Sequence, residues 1–488
     1  MKIRNDWKQT ILHVLMSLIV VALIGAVLWK IKIPFISVDP SMQHWNDEVY
    51  YYQMVASTAR YGHPQGYFGF NESHALIGGY GAWSPLIMYF YTPFYMLQGG
   101  SLLSVYRANL FLVVIAMFIL FQWNHCSWKE CFYYSVVVLC GQIIRYSYGG
   151  LAEPMYWFLS ILIVSCIINR DHLKAYWLGV ILITYASLSR IYLLIYLLPL
   201  MFADGIKKNK CIQFLVVVLL VIIGSTITNR YFLAAYFRPT IRFSELKEAL
   251  EAGGLLSYIS GNFRTVSVFI RNGIGYGERR AVLYTIFFAT GLLLIVRSVI
   301  RAVHHQMNRM DHLMNLVYFG AFFLMINLYY AGETDRHFFS IALFTWILLI
   351  HEMIMSEKKP LIVLYLFLLF CATDLLFFRN SENRWLYQEN NLYRLPQLSE
   401  IAPADGDPFD NTIAYECDID FNSYRILYDV HPGMGINFCS SEYLRNPSII
   451  QSRYVILAYE SGALPAYQNS ADWAEIMSNE KCIIFERK

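Results

Sequence analysis

Residues 85–100 read PLIMYFYTPFYMLQGG. Residues 85–97 are almost wholly apolar, yet they fall short of the roughly 20 residues that a helix needs to cross a bilayer. Pro93 interrupts the run, and Gly99-Gly100 closes it. An interfacial or re-entrant helix fits these features better than a span. The basic residues on either side favour the same reading. If 85–97 does not cross, the short basic loops share one face: Lys2, Arg4 and Lys8; Lys129; Arg170 and Lys174; Lys207, Lys208 and Lys210; Arg297, Arg301 and Arg309; Lys358 and Lys359. If it does cross, the N-terminal cluster and the later ones face opposite compartments. The first arrangement obeys the positive-inside rule, with the N-terminus in and the C-terminus out.

The composition makes the membrane reading necessary. Only 15% of the 488 residues are charged and 57% are hydrophobic, against a usual soluble figure of about 25% charged. A net charge of +3 is too small to argue for a nucleic-acid partner. The nine cysteines show neither CxxC nor Cys/His spacing, so no zinc site is read. Cys417 and Cys439 would suit a disulfide in an oxidising compartment and would otherwise remain thiols. The apolar run 11–29 has no charged residue and no small-residue cleavage pattern after it, so it reads as a retained span.

Further apolar runs occur at 108–123, 131–144, 154–169, 175–189, 191–203, 211–229, 281–296, 313–332, 337–351 and 360–373. Together with the first they predict an all-α polytopic bundle of about 11 transmembrane helices. The pair meeting near Arg190 is short and reads as tilted or broken. The predicted domains are a membrane domain over 1–378, with external loops at 32–106 and 231–280, and a C-terminal α/β extracytoplasmic domain over 379–488. The second loop carries Arg238, Arg242, Arg264, Arg271, Arg279 and Arg280 despite its external assignment, since long loops follow the charge rule less strictly. Within the tail, 424–430, 453–459 and 482–485 read as strands and 471–477 as a helix.

With the sides assigned, ionisable residues gather on the outer face. Asp47 and Glu48 lie in the first external loop, in WNDEVYYYQ. Glu153 opens a helix in GGLAEPMYW, and Arg190 sits between two apolar runs in SLSRIYLL. Glu333, Asp335, Arg336 and His337 fill the turn AGETDRHFF. Such groups at membrane depth are costly and usually mark pathways or sites. Each also has a structural reading: Asn46 or Asp47 as an N-cap, Glu153 as a first-turn acid, Arg190 as one half of a buried pair, and the late turn as a solvated loop. The aromatic stripe through Tyr50, Tyr51, Tyr52, Tyr61, Tyr67, Phe68 and Phe70 reads first as packing or an interfacial belt, and second as a sugar platform.

Acids and arginines on one face suit transfer to a hydroxyl from a donor whose leaving group is a membrane-held phosphate. A carboxylate ionised at neutral pH takes the acceptor proton, while a guanidinium fork stabilises the charge growing on the departing phosphate. Neither a Walker loop nor a Rossmann fingerprint is present in the sequence.

In these motifs the chain resembles the GT-C polyprenyl-phosphate-sugar-dependent glycosyltransferases, the superfamily of protein O-mannosyltransferases and aminoarabinose transferases. The matching residues are an external DE with aromatics (Asp47, Glu48, Tyr51), WSPL at Trp83–Leu86, AEP at Glu153, LSR at Arg190 and ETDRH late in the bundle. They run in order over residues 10–375. The family more often has hPPL where this chain has WSPL. The resemblance implies Asp47 as catalytic base, with Glu48 and Glu153 as supporting acids. It implies Arg336, Arg190 and His337 at the donor phosphate, and Tyr51, Glu333 and Asp335 at acceptor or donor. It further implies a lipid-linked sugar donor, a glycan or lipid acceptor, a divalent cation in some relatives, and an inverting enzyme of the bacterial plasma membrane. The alternatives are a polymerase or ligase of lipid-linked oligosaccharides and, from another class, a transporter of lipid-linked sugars. A transporter would place its polar groups near the bilayer midplane and show internal repeats.

Overall fold

The computed structural model describes residues 7–30, 46–64, 68–72, 84–139, 143–144, 147, 149–231, 243–276, 279–328, 334–356, 394–403, 408–418 and 421–488. Helix α1 (Trp7–Lys30) is followed by the shorter α2 (Asn46–Tyr61), the three-residue strand β1 (Phe68–Phe70) and α3 (Pro85–Leu97). The α3 run stays short, as the sequence predicts. The Ser84 side chain accepts from the Leu86 amide, and Pro85 takes the first helical position, where its missing N–H costs nothing. Beyond it come α4 (Ser104–Trp123), α5 (Trp128–Val138), α6 (Glu153–Ile168) and α7 (Leu173–Ser189). Arg190, with φ −141° and ψ 95°, breaks the chain before a 3₁₀ turn (Ile191–Tyr196) and α8 (Leu197–Phe202). The bundle continues through α9 (Lys208–Tyr231), α10 (Phe243–Glu251), α11 (Leu255–Tyr276), α12 (Arg279–Val303), α13 (Arg309–Leu328) and α14 (Thr334–Met355).

Among the described residues five helices, α1, α4, α9, α13 and α14, are long and apolar enough to cross a membrane. Helices α6, α7 and the run from the 3₁₀ turn through α8 are apolar but shorter. The predicted span at 360–373 lies outside the described residues. Leucines and isoleucines of α1, α9 and α12 point outward, Leu215, Leu219 and Ile223 of α9 among them, as an apolar solvent allows. The chain is a polytopic membrane protein.

Polar contacts fix the two ends of the bundle. At one end His13 of α1 meets Gln122 and the Cys126 carbonyl, each at 2.8 Å, and Asn169 donates to Asn124. Arg170 pairs with Asp204 at 2.8 Å, while Arg297 and Arg301 converge on the buried Asp311 and on Glu352. Lys207, Lys208 and Lys210 precede or open α9 at this same end. The opposite end holds the turn 149–152, Arg190, the start of α14 and the end of α13, where Tyr258 donates to the Asn327 carbonyl.

Onto that second end packs a six-stranded sheet in the order β1-β3-β2-β4-β6-β5. Its members are β2 (Thr412–Glu416), β3 (Gly435–Cys439), β4 (Tyr454–Ala458), β5 (Trp473–Ser478) and β6 (Cys482–Arg487), besides β1. Strands β1, β3, β2 and β4 run parallel, and β6 and β5 are antiparallel. The predicted strands at 453–459 and 482–485 are present. Two expectations for the tail are corrected. Residues 424–430 belong largely to a 3₁₀ helix (Phe421–Tyr428), whose Leu427 carbonyl, with that of Val430, accepts from Gln53 of α2 instead of from a strand. Residues 471–477 fall largely in β5, where pairing with β6 and packing of Trp473 on Tyr467 outweigh the helix propensity of Ala, Glu and Met. Cys417 and Cys439 are free thiols, though the Cys417 amide donates to the Cys439 carbonyl.

Candidate functional site

The site grows from a turn. Asn109 is a fully buried amide on α4. It donates to the carbonyls of Gly149 and Leu151 at 2.7 and 3.0 Å and accepts the Tyr91 hydroxyl of α3 at 2.6 Å. That grip presents the Gly150 amide to Glu48, whose Oε1 accepts it at 3.1 Å. The other carboxylate oxygen of Glu48 accepts the Tyr106 hydroxyl at 3.4 Å. The turn is tight at Gly150: a Cβ would stand 3.1 Å from Cβ of Glu48 and 3.3 Å from the Tyr106 ring, so one of them would have to shift by a few tenths of an ångström. Glu48, at 4% exposure, is thereby fixed on the first turn of α2.

Three residues beyond Gly150, Glu153 opens α6, where a negative charge suits the positive helix terminus. Its carboxylate lies 3.2 Å from Nη2 of Arg190 and 3.8 Å from Nδ1 of His337. Arg190 closes the triangle, with Nη1 2.7 Å from Nδ1 of His337. A guanidinium can only donate, so in this contact His337 Nδ1 is the acceptor. The guanidinium also stacks 3.8 Å above the Tyr156 ring. The Tyr192 hydroxyl donates to the backbone carbonyl of His337 at 3.2 Å, which ties the start of α14 to the 3₁₀ turn. Glu153, Arg190 and His337 are each no more than 2% exposed, so one buried positive and one buried negative charge offset each other.

The structure thus joins Glu153, Arg190 and His337 directly, and Glu48 through the turn at Gly150. Asp47 sits in the first turn of α2, and Asp335 and Arg336 in the first turn of α14; their side chains lie outside the described residues, as does the whole of Glu333. Tyr51 is buried at 2% exposure. Its neighbours pack α2 against the sheet domain: Tyr50 on Phe438 with ring centres 5.3 Å apart, and Tyr52 on Tyr428 at 5.2 Å. Tyr50, Tyr51 and Tyr52 of the stripe therefore serve packing, whereas Tyr61 and Phe70 are exposed. Members of the site not singled out from sequence include Asn109, Tyr106 and Tyr156. Asn109 had a signal, an amide inside a largely apolar span; Tyr156 had none, being one of 37 tyrosines. Among the described residues no group of three or more His, Cys, Asp or Glu side chains is placed to hold a metal ion.

No family model matches the chain, and no curated protein matches it. Among solved structures the chain is similar to the Archaeoglobus fulgidus oligosaccharyltransferase in complex with Zn and sulfate, at 12% identity and a TM-score of 0.51, over 96% of this chain and 72% of that one. It also matches ArnT from Cupriavidus metallidurans, bound to undecaprenyl phosphate (10% identity, TM-score 0.43) and in the apo state (11%, 0.42), each over 95% of this chain and 97% of the other. At such identities the likeness to the oligosaccharyltransferase bears on architecture, and the fold is GT-C-like.

Proposed function

We propose that the chain is an inverting membrane glycosyltransferase, which moves a sugar from a polyprenyl-phosphate carrier to a glycan or lipid acceptor on the outer face of a bacterial plasma membrane. The observation that carries this reading is the meeting of Glu48, Glu153, Arg190 and His337, drawn from four separate segments, at one end of an apolar bundle. That end is opposite the lysine- and arginine-rich turns, as expected of an outward-facing site. The donor class rests on chemistry, since acids and arginines on one face suit a phosphate leaving group.

In this mechanism Asp47, ionised at neutral pH, takes the proton of the acceptor hydroxyl as its oxygen attacks the anomeric carbon. The anomeric carbon–phosphate oxygen bond breaks on the opposite face, and polyprenyl phosphate leaves with the electron pair. Attack from the far side inverts the anomeric centre. Arg336 donates to the phosphate oxygens and stabilises the charge gathering there. Glu48 and the Glu153–Arg190–His337 triangle hold the first turns of α2 and α14, from which Asp47 and Arg336 act. Arg190 gives its donors to Glu153 and His337 in this arrangement and serves as a positioning residue.

The test is transfer by purified protein from radiolabelled polyprenyl-phosphate sugars. Asp47→Asn, nearly isosteric, should lower kcat by about 100- to 10,000-fold. Arg336→Ala should weaken donor use while the protein still inserts. Full activity in Asp47→Asn refutes the base assignment, and unchanged donor kinetics in Arg336→Ala refutes the phosphate role.

A further inference from the structure

Strand β1 belongs to the first loop, between α2 and α3, yet it forms the edge of the sheet that the C-terminal residues build. It pairs with β3 in the register Phe68–Ile436, Gly69–Asn437 and Phe70–Phe438. The two residues after it, Asn71 and Glu72, adopt left-handed backbone conformations, with φ of 50° and 53°. Two consecutive side-chain-bearing residues in that region are unfavourable unless other contacts hold them there.

Those contacts are specific. The Asn71 amide donates to the Phe438 carbonyl at 2.8 Å, and Asn71 Oδ1 accepts the Ser440 amide at 2.9 Å. Glu72 reaches further in, to 4% exposure. One of its carboxylate oxygens accepts the Ser452 amide at 2.6 Å, and the other accepts the Gln451 amide at 2.7 Å and the Tyr443 hydroxyl at 3.2 Å. Consecutive backbone amides converging on one carboxylate form an anion-binding concavity. Here the anion is supplied by a segment more than 370 residues away in the chain. Charge-assisted bonds of this kind are roughly twice as strong as neutral ones.

We infer that Glu72 is a positioning residue for the transfer reaction, a carboxylate clasp that locks the first loop to the C-terminal domain and so holds the chain that follows α2. The inference rests on the proposed function for its catalytic part. The same two bodies meet at Gln53, which donates to Leu427 and Val430, and at the Tyr52–Tyr428 contact. The C-terminal domain is therefore joined to α2 on one side and to the loop leading to α3 on the other. Glu72 is the only buried carboxylate of the described first-loop residues 68–72, and it spends its oxygens entirely on the other body.

The experiment uses the full chain in detergent, with Glu72→Ala and Glu72→Gln. Hydrogen exchange reads the clasp, and transfer kinetics read its consequence. In Glu72→Ala the Asn71, Gln451 and Ser452 amides should exchange about tenfold faster or more, and kcat should fall about tenfold with donor KM unchanged. Glu72→Gln keeps one acceptor and should fall between wild type and Glu72→Ala. Acetate distinguishes a tether from a mere filler. Added to Glu72→Ala, it should reprotect Gln451 and Ser452, whereas Asn71 exchange and kcat stay as in the variant. Unchanged Asn71 exchange in Glu72→Ala, or kcat restored by acetate, overturns the inference. If wild-type protein transfers nothing from polyprenyl-phosphate sugars, the proposed function fails, and the exchange measurements still decide the clasp.

Discussion

Arg190 lies 3.2 Å from Glu153, and both side chains are at least 98% withdrawn from solvent. The contact joins the break after α7 to the first turn of α6, and His337 adds the first turn of α14. Three chain reversals are therefore held by one charge pair, in a region where neither partner has water to fall back on.

Breaking such a pair from one side leaves the other charge buried and uncompensated. Arg190→Ala or Glu153→Ala should each cost about 3–5 kcal/mol of stability. The double variant Glu153→Leu/Arg190→Met, which removes both charges and keeps volume, should recover most of that loss, because a buried ion pair is often replaceable by apolar residues at little cost. Thermal unfolding of the three purified variants in one detergent checks this. A double variant no more stable than the singles would mean that the cluster contributes through hydrogen bonds to the backbone and not through charge balance.

The gathering of these residues was legible in the sequence because membrane proteins give charge a meaning that soluble ones do not. Once residues 85–97 are read as too short to cross, the basic loops fall on one side and Glu48, Glu153, Arg190 and His337 on the other. The structure brings all four to one end of the bundle. The sheet was less legible. Strands β2 and β3 are five residues each and buried along their whole length, so they show no alternation. Strand β1 is three residues long and joins the sheet from a loop more than 360 residues upstream of its partner, a pairing that no local pattern encodes. Local pattern spoke correctly at 453–459 and 482–485 and misled at 424–430, where the chain is largely 3₁₀ and Gln53 donates to the Leu427 and Val430 carbonyls.

Orientation in the membrane follows from the charges and is open to a direct check. Tyr459, on the sheet domain, and His305, in the turn between α12 and α13, are both exposed and lie at opposite ends of the bundle. In a background lacking exposed native thiols, Tyr459→Cys should react with an impermeant maleimide in intact cells, and His305→Cys only after lysis. The reverse pattern would place the sheet domain and the Glu153–Arg190 cluster on the cytoplasmic side and remove the outward-facing site.

The sheet domain carries its own buried acid. Glu416 ends β2 at 2% exposure, with the Ser461 hydroxyl donating to its Oε1 at 2.8 Å. Burial raises its pKa above the usual carboxylate value, and the hydroxyl partners only partly offset this. For an acid with a raised folded-state pKa, the fold binds the proton more tightly than the unfolded chain does. The stabilising contribution is then fully present below the unfolded pKa of about 4.3 and is lost as pH rises through the folded value. At neutral pH the ionised carboxylate is a liability of the domain. Glu416→Gln keeps an acceptor for Ser461 and removes the charge, so it should stabilise the domain at pH 7 and leave its stability nearly unchanged near pH 4. Hydrogen exchange of the β2, β3 and β4 amides across that range measures the difference. A variant less stable than wild type at pH 7 would show that the ionised carboxylate is held by more than it loses on burial, and would reverse the sign of the argument.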